Sequence, residues 1–138
     1  MQWTKILTPL LAASVLAAFA PAVQAQHSAD DTLLQMQQAF RKGERKRLSE
    51  LLPATRGHPL EPWAAYWELK SRLNTAGPSE VEAFLQRWRG TYQEDRMRND
   101  WLLLLGQRRQ WADFERLLPE FRMQDDREVR CYELAVQT

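Results

Sequence analysis

Apolar positions recur at helical spacing along almost the whole of this chain, and turn residues separate the runs. Leu33, Leu34 and Phe40, with Gln37, fall near one face of a helix that Ser28 or Asp30 can cap and Gly43 can stop. Arg45 to Leu52 predicts a second, short helix that Pro53 ends. Residues 53–59, with Gly57 and two prolines, predict a loop. A third helix is expected from Leu60 to Thr75, with Pro62 tolerated in its first turn. Gly77-Pro78 ends it, and Ser79 caps a fourth helix running to Arg89, with Glu82 placed as in a capping box. Gly90 lies just past its end. The fifth helix spans about Gln93 to Gln107, and the sixth runs from Trp111 to Leu118 and stops at Pro119. The seventh begins near Asp125 or Asp126, whose carboxylates suit a helix N-terminus. No run alternates with period two strongly enough to predict a strand.

The runs also repeat. Leu48, Val81 and Phe114 fall at one regular interval. Leu51, Phe84 and Leu117 share it, as do Leu52, Leu85 and Leu118, and also Met36, Leu69 and Leu102. Leu48-Ser49-Glu50-Leu51-Leu52-Pro53 and Phe114-Glu115-Arg116-Leu117-Leu118-Pro119 are nearly one phrase. Each unit reads as two antiparallel helices that must stack on neighbours to bury both faces. The expected fold is therefore all-α, a divergent α-solenoid of antiparallel helix pairs with a period of about 33 residues. The tetratricopeptide period is close, at about 34 residues, but its Trp-Leu-Gly-Tyr consensus is absent. The seventh helix opens a fourth pair. Val129, Tyr132, Leu134, Ala135 and Val136 give that end an apolar surface, so the array is expected to be incomplete at its C-terminus, with a last helix that frays or self-associates.

Residues 1–25 carry a different pattern. Lys5 precedes an uncharged apolar run from Ile6 to Phe19, and Val23-Gln24-Ala25 places small residues for cleavage after Ala25. Ala20-Pro21-Ala22 is an alternative site, and a retained anchor is the alternative role. The run is shorter than the ~20 residues of an ordinary span. The expectation is a signal peptide at 1–25, a helical domain at 26–138 and export to the periplasm. Removing that leader takes one base, Lys5, and no acid, so the mature chain carries bases and acids in equal number. That balance argues against a nucleic-acid partner. The local cluster Arg41, Lys42, Arg45, Lys46 and Arg47 reads as a solvated face, with an acidic polymer or lipid headgroup as the other reading. A chain of this size forms one small domain, burying about two-thirds of its unfolded surface. Cys131, the single cysteine, can make no internal disulfide and is expected to pack as a small apolar residue, a reactive thiol being the alternative.

Chemical motifs are sparse. His27 and His58 are the only histidines, with no His-x-x-x-His or Cys-x-x-Cys, so no metal site is expected. No nucleophile elbow or phosphate-cradling glycine loop is present, so no cofactor is expected. The carboxylates lie mostly among bases, as in Glu61 with Arg72, Glu82 with Arg89 and Asp113 with Arg116. Arg96 and Arg98 with Asp95 and Asp100 read as links between helices. Glu61, between Leu60 and Pro62, has the most apolar neighbours, as a catalytic acid would need, but no catalytic residue is assigned. The aromatics say more. Trp63, Tyr66 and Trp67 share a helical stripe, and Trp88, Trp101 and Trp111 follow in later helices. Such a stripe is either core between stacked helices or a platform on which sugar rings stack.

Three blocks carry a resemblance: His58-Pro59-Leu60-Glu61-Pro62-Trp63-Ala64-Ala65-Tyr66-Trp67, then the stretch from Thr91 to Gly106, then Asp125-Asp126-Arg127-Glu128-Val129-Arg130-Cys131-Tyr132. In this order they resemble the N-terminal superhelical region of soluble lytic murein transglycosylases, over roughly His58 to Leu134. The resemblance implies a curved helical scaffold ahead of a lysozyme-like domain. In such enzymes that domain uses one glutamic acid to cut peptidoglycan glycan strands, leaving a 1,6-anhydro product. This chain has neither the Glu-Ser segment nor the Gly-Leu-Met-Gln stretch of that domain. The resemblance therefore implies a scaffold segment, inactive alone, that meets glycan strands through a parent enzyme, with Trp63, Tyr66 and Trp67 as its candidate sugar contacts. A helical-repeat periplasmic adaptor for a protein partner is the second reading, and a divergent enzyme using acids such as Glu61 is the third.

Overall fold

The computed structural model describes residues 20–138, with side chains from residue 27 onward. The side chains of the expected signal sequence lie outside the described residues. Among the described residues there are seven α-helices and no strand: α1 Ala20–Lys42, α2 Arg45–Leu51, α3 Glu61–Ser71, α4 Pro78–Arg87, α5 Tyr92–Gln107, α6 Trp111–Leu117 and α7 Arg127–Val136. Short 3₁₀ turns follow α2, α3 and α6, at Leu52–Thr55, Leu73–Thr75 and Leu118–Glu120. The all-α expectation holds. No helix among the described residues is long and apolar enough to cross a membrane.

The helix ends show which local signals dominate. α1 passes through Ser28 and Asp30, so neither is its cap. Gly43 takes a left-handed φ of 71° and closes α1, its N–H bonding to Phe40 and that of Glu44 to Ala39. Arg109 closes α5 in the same way at φ 56°, through Gly106 and Leu105. Pro53 does not stop the chain from coiling, because a proline is tolerated in the first turn of the 3₁₀ segment that continues α2. Ser79 is not the cap of α4. Pro78 starts the helix, and Glu80 accepts the Gly77 N–H at 3.0 Å, so the reciprocal bond falls two residues earlier than expected. Thr91 caps α5 through the Glu94 N–H, and Asp126 caps α7 through Glu128 and Val129.

The odd-numbered helices pack in succession, α1 on α3, α3 on α5 and α5 on α7. α2 lies against α1 and α3, α4 against α5, and α6 against α5 and α7. One core fills the space among α3 to α7 around Leu69, Phe84, Met97, Trp101, Leu102 and Phe114. A smaller one joins α1, α2 and α3 through Leu33, Met36, Ala39, Leu48 and Ala64. Leu48, Val81 and Phe114 are each wholly enclosed. Side chains of that size contribute roughly 1.5–3 kcal/mol each on burial. Gly106 lets the Tyr132 ring of α7 lie directly on the α5 backbone, where a Cβ would collide with it.

Candidate functional site

The spacing of Trp63, Tyr66 and Trp67 places them along one side of α3, and the structure brings them into a larger aromatic array. Trp67 stacks with Phe40 of α1, ring centroids 6.3 Å apart and planes 27° apart. Trp63 stacks with Trp67 at 5.9 Å and 29°. On its other side Trp63 meets Tyr92 of α5 at 5.6 Å, tilted by 42°. A ladder of four rings thus crosses α1, α3 and α5. Phe40, Trp63 and Trp67 are half-buried, while Tyr92 is 54% exposed. Leu33, Gln37, Leu60, Trp63 and Trp67 line a groove of about 350 Å³ beside the ladder. That volume lies within the ~300–1,000 Å³ of small-ligand clefts.

Tyr66 has a different place. Its ring is buried and meets Trp63 edge-on at 5.9 Å, and its hydroxyl donates to Asp100 Oδ2 at 2.6 Å. Burial, then the bond to the Asp100 carboxylate, pushes the phenol well above its ordinary range, so it remains a donor. Lys70 Nζ stands 3.2 Å from the same carboxylate. Arg96 lies against Tyr66 and Asp100; burial draws its pKa down, and the charge of Asp100 with the Tyr66 contact outweighs this and raises it. One carboxylate and two cations therefore sit at the foot of the ladder. Such a cluster can hold hydroxyl or carboxylate oxygens while the rings take the apolar faces of a ligand.

The remaining candidates are accounted for elsewhere. Trp101 is core, Trp111 meets Phe114 edge-on at 6.2 Å, and Trp88 lies under the Arg87 guanidinium at 4.8 Å. Glu61 accepts from Arg87 at 2.7 Å and from the Gly57 N–H at 2.8 Å, so each of its oxygens carries a structural bond. The expected partner of Glu61 is Arg72, but their separation along one helix is about 16 Å of rise, too far for a pair. Arg72 instead bonds Glu68 at 2.6 Å and Glu80 at 2.8 Å. Glu82 likewise reaches Arg116 of α6 at 2.9 Å, and Arg89 faces Glu120 at 3.9 Å, because α4 ends before Arg89 and the neighbouring helix is closer. Asp113 does pair with Arg116, at 3.2 Å. Cys131 is exposed, contrary to its expected packing. The buried stripe of α7 runs through Val129, Tyr132 and Val136, and Cys131 falls outside it. Arg41, Lys42, Arg45, Lys46 and Arg47 are all exposed, and His58 reaches Asp30 at 2.5 Å. Among the described residues no group of three or more His, Cys, Asp or Glu could hold a metal ion.

Tyr92 and Phe40 are the ladder members that sequence reasoning missed. Each lies on a different helix from Trp63, and no spacing rule links them. The expected links from α5 come nearer the mark, since Asp100 reaches Tyr66 and Lys70 of α3, and Arg98 reaches the Leu117 carbonyl at 3.3 Å. Comparison of the chain with protein-family models, with curated proteins and with solved structures returns no match.

Proposed function

We propose that the chain is the N-terminal helical scaffold of a periplasmic lytic transglycosylase, and that the face made by α1, α3 and α5 carries a peptidoglycan glycan strand. In this reading the helix pairs repeat at the regular interval of the sequence, as an α-solenoid. The starts of α2, α4 and α6 at Arg45, Pro78 and Trp111 support that period. So do three equivalent bonds, from the N–H of Leu48, Val81 and Phe114 to the carbonyls of Glu44, Gly77 and Gln110. The matching closures at Gly43 and Arg109 stand two periods apart.

The observation that carries the glycan reading is the aromatic ladder with one edge in solvent. Trp63, Trp67 and Tyr92 take the apolar faces of the sugars. Tyr66 holds Trp63 from below, and Lys70 and Arg96 meet the strand's oxygens. A protein partner is the second reading, favoured by the open groove beside α7.

The test is co-sedimentation of the chain with purified murein sacculi. The wild-type chain is expected in the pellet. The double variant Trp63→Ala, Trp67→Ala is expected to lose retention by tenfold or more with its helical circular dichroism intact, about 1.4 kcal/mol per tenfold. Unchanged retention by a folded double variant sinks this reading. Mass spectrometry of the same supernatants is expected to find no 1,6-anhydro products; their release would place catalysis within this chain, with Glu61 the first acid to replace.

A further inference from the structure

A groove of about 350 Å³ lies among the 3₁₀ turn after α2, α3 and α4. Ala65, Leu69, Ala83 and Phe84 line it, with Arg56 and Arg87. None of the four ladder rings does. A second groove, of about 180 Å³, lies among α4, α5 and α6 with its 3₁₀ extension. The two hold corresponding places in the proposed repeat. Arg89 stands one period beyond Arg56, Arg98 beyond Ala65, Arg116 beyond Ala83 and Glu120 beyond Arg87.

The chain fills the second groove itself. The Arg98 side chain is 5% exposed and meets Glu94 at 2.8 Å and Glu120 at 3.2 Å. Arg116 reaches across to Glu82 of α4 at 2.9 Å, and Glu120 also faces Arg89 at 3.9 Å. In the first groove both filling arginines are replaced by alanines, and the space is correspondingly larger. The carboxylate is missing as well, because Arg56 has Arg87 where Arg89 has Glu120. The acids on these walls are already engaged: Glu61 by Arg87, and Glu68 and Glu80 by Arg72. Arg56 forms no ion pair among the described residues.

We propose that the first groove binds a small carboxylic acid with an aliphatic or aromatic body. Its carboxylate takes the place of Glu120, between Arg56 and Arg87. Its body lies over Ala65 and Ala83, in the room that Arg98 and Arg116 take one period on. Guanidinium groups donate to a carboxylate in a fixed, charge-assisted geometry. Leu69 and Phe84, both buried, give the apolar floor that such a body needs. The comparison of the two grooves rests on the register of the proposed repeat, and not on sugar binding.

The probes are phenylacetate, a free acid, and N-acetylalanylphenylalanine, a peptide C-terminus. Each is titrated into the isotope-labelled full chain and followed by nuclear magnetic resonance at the indole N–H of Trp88, which lines the groove. Saturable shifts are expected from at least one acid, and which one saturates tells a free acid from a peptide terminus. The corresponding amide, which lacks the charge, is expected to bind tenfold or more weakly. Arg56→Gln is expected to weaken binding by tenfold or more. Ala83→Arg, which copies the next unit, is expected to abolish it. Arg56 and Ala83 are exposed, so both exchanges leave the fold in place. Saturation by neither acid, equal binding of the amides, or unchanged binding in either variant overturns the proposal. Retention on murein is expected to be the same for wild type and Ala83→Arg, so the carboxylate and glycan readings fail separately.

Discussion

The linker from α2 to α3, residues 56–60, and the linker from α6 to α7, residues 121–126, both follow a 3₁₀ turn that begins Leu-Pro. The first holds itself together. Gly57 takes a left-handed φ of 81°, the His58 N–H bonds to Thr55, and the Glu61 N–H bonds back to His58. The Leu60 N–H donates to His58 Nδ1 at 2.9 Å, which leaves the proton on Nε2, directed at Asp30. The second linker is held from outside. Asp95 of α5 accepts the N–H groups of Arg122 and Met123 on its two oxygens, at 2.9 and 2.8 Å. The Arg122 guanidinium reaches Glu94 at 2.8 Å, and Asn99 donates to Asp126 at 3.1 Å. Past the bond from the Phe121 N–H to Leu118, this linker makes no turn bonds of its own among the described residues, and its remaining donors must find partners elsewhere. The buried polar residues of α5, an odd choice for the most enclosed helix, supply them.

Asp95→Ala breaks the comparison most severely. It leaves two backbone donors without acceptors and empties a site that is only 1% exposed. Arg122 is exposed and Met123 half-buried, so the lower part of the about 1–3 kcal/mol per unsatisfied donor applies, and a loss of roughly 2–4 kcal/mol is expected from urea unfolding. Asp95→Asn keeps one acceptor and should lose about half as much. A loss under about 0.5 kcal/mol for Asp95→Ala would mean that the second linker does not depend on α5.

Acid offers a graded version of the same break. Burial alone would raise the Glu94 pKa, but the bonds from Arg98 and Arg122 outweigh it and hold the carboxyl below its usual range. At Asp126 burial is likewise opposed and overcome, by Asn99 and the N–H groups of Val129 and Glu128. Both folded pKa values lie below the unfolded ones. Their stabilisation is therefore complete above the unfolded carboxylate range, near pH ~4, and is lost as pH falls through the folded values. The urea midpoint is expected to drop as pH goes from about 5 to about 3, and Glu94→Gln should flatten that drop while lowering the midpoint at neutral pH. An equally steep pH dependence in Glu94→Gln would remove Glu94 from the linkage.

These two linkers also mark what could be read from the residues. Gly57 and the prolines announce the first loop, and the helical periods of α3 and α5 announce their neighbours. Helix order and type are legible for the same reason: apolar spacing and punctuation are local. The stripe at Trp63, Tyr66 and Trp67 is legible as a stripe, but whether each ring meets solvent depends on α1 and α5. Tyr66 sinks because Asp100 lies beneath it, whereas Tyr92 surfaces because it opens α5. Ion-pair partners are the least legible. Charges on one helix suggest partners along that helix, yet Glu61 and Glu82 find theirs across helices. Glu94 and Asp95 look like ordinary acids at a helix start, and nothing near them in sequence announces a linker 27 or 28 residues away.

The smallest effect tests whether the second linker is held at a cost. Gln124 has a φ of 48°, the left-handed region that glycine occupies in the first linker at Gly57. A side chain there costs roughly 1–2 kcal/mol in the folded state. Glycine would remove that cost but add about 0.5–1 kcal/mol of unfolded-chain entropy. Gln124→Gly is therefore expected to stabilise the chain by up to about 1 kcal/mol, read as a higher urea midpoint at unchanged slope. Gly57→Ala should move the midpoint the other way by about 1 kcal/mol, since open space around its Cβ leaves only the backbone penalty. If Gln124→Gly destabilises instead, the bonds from α5 do not force Gln124 into strain, and the second linker prefers its path as the first one does.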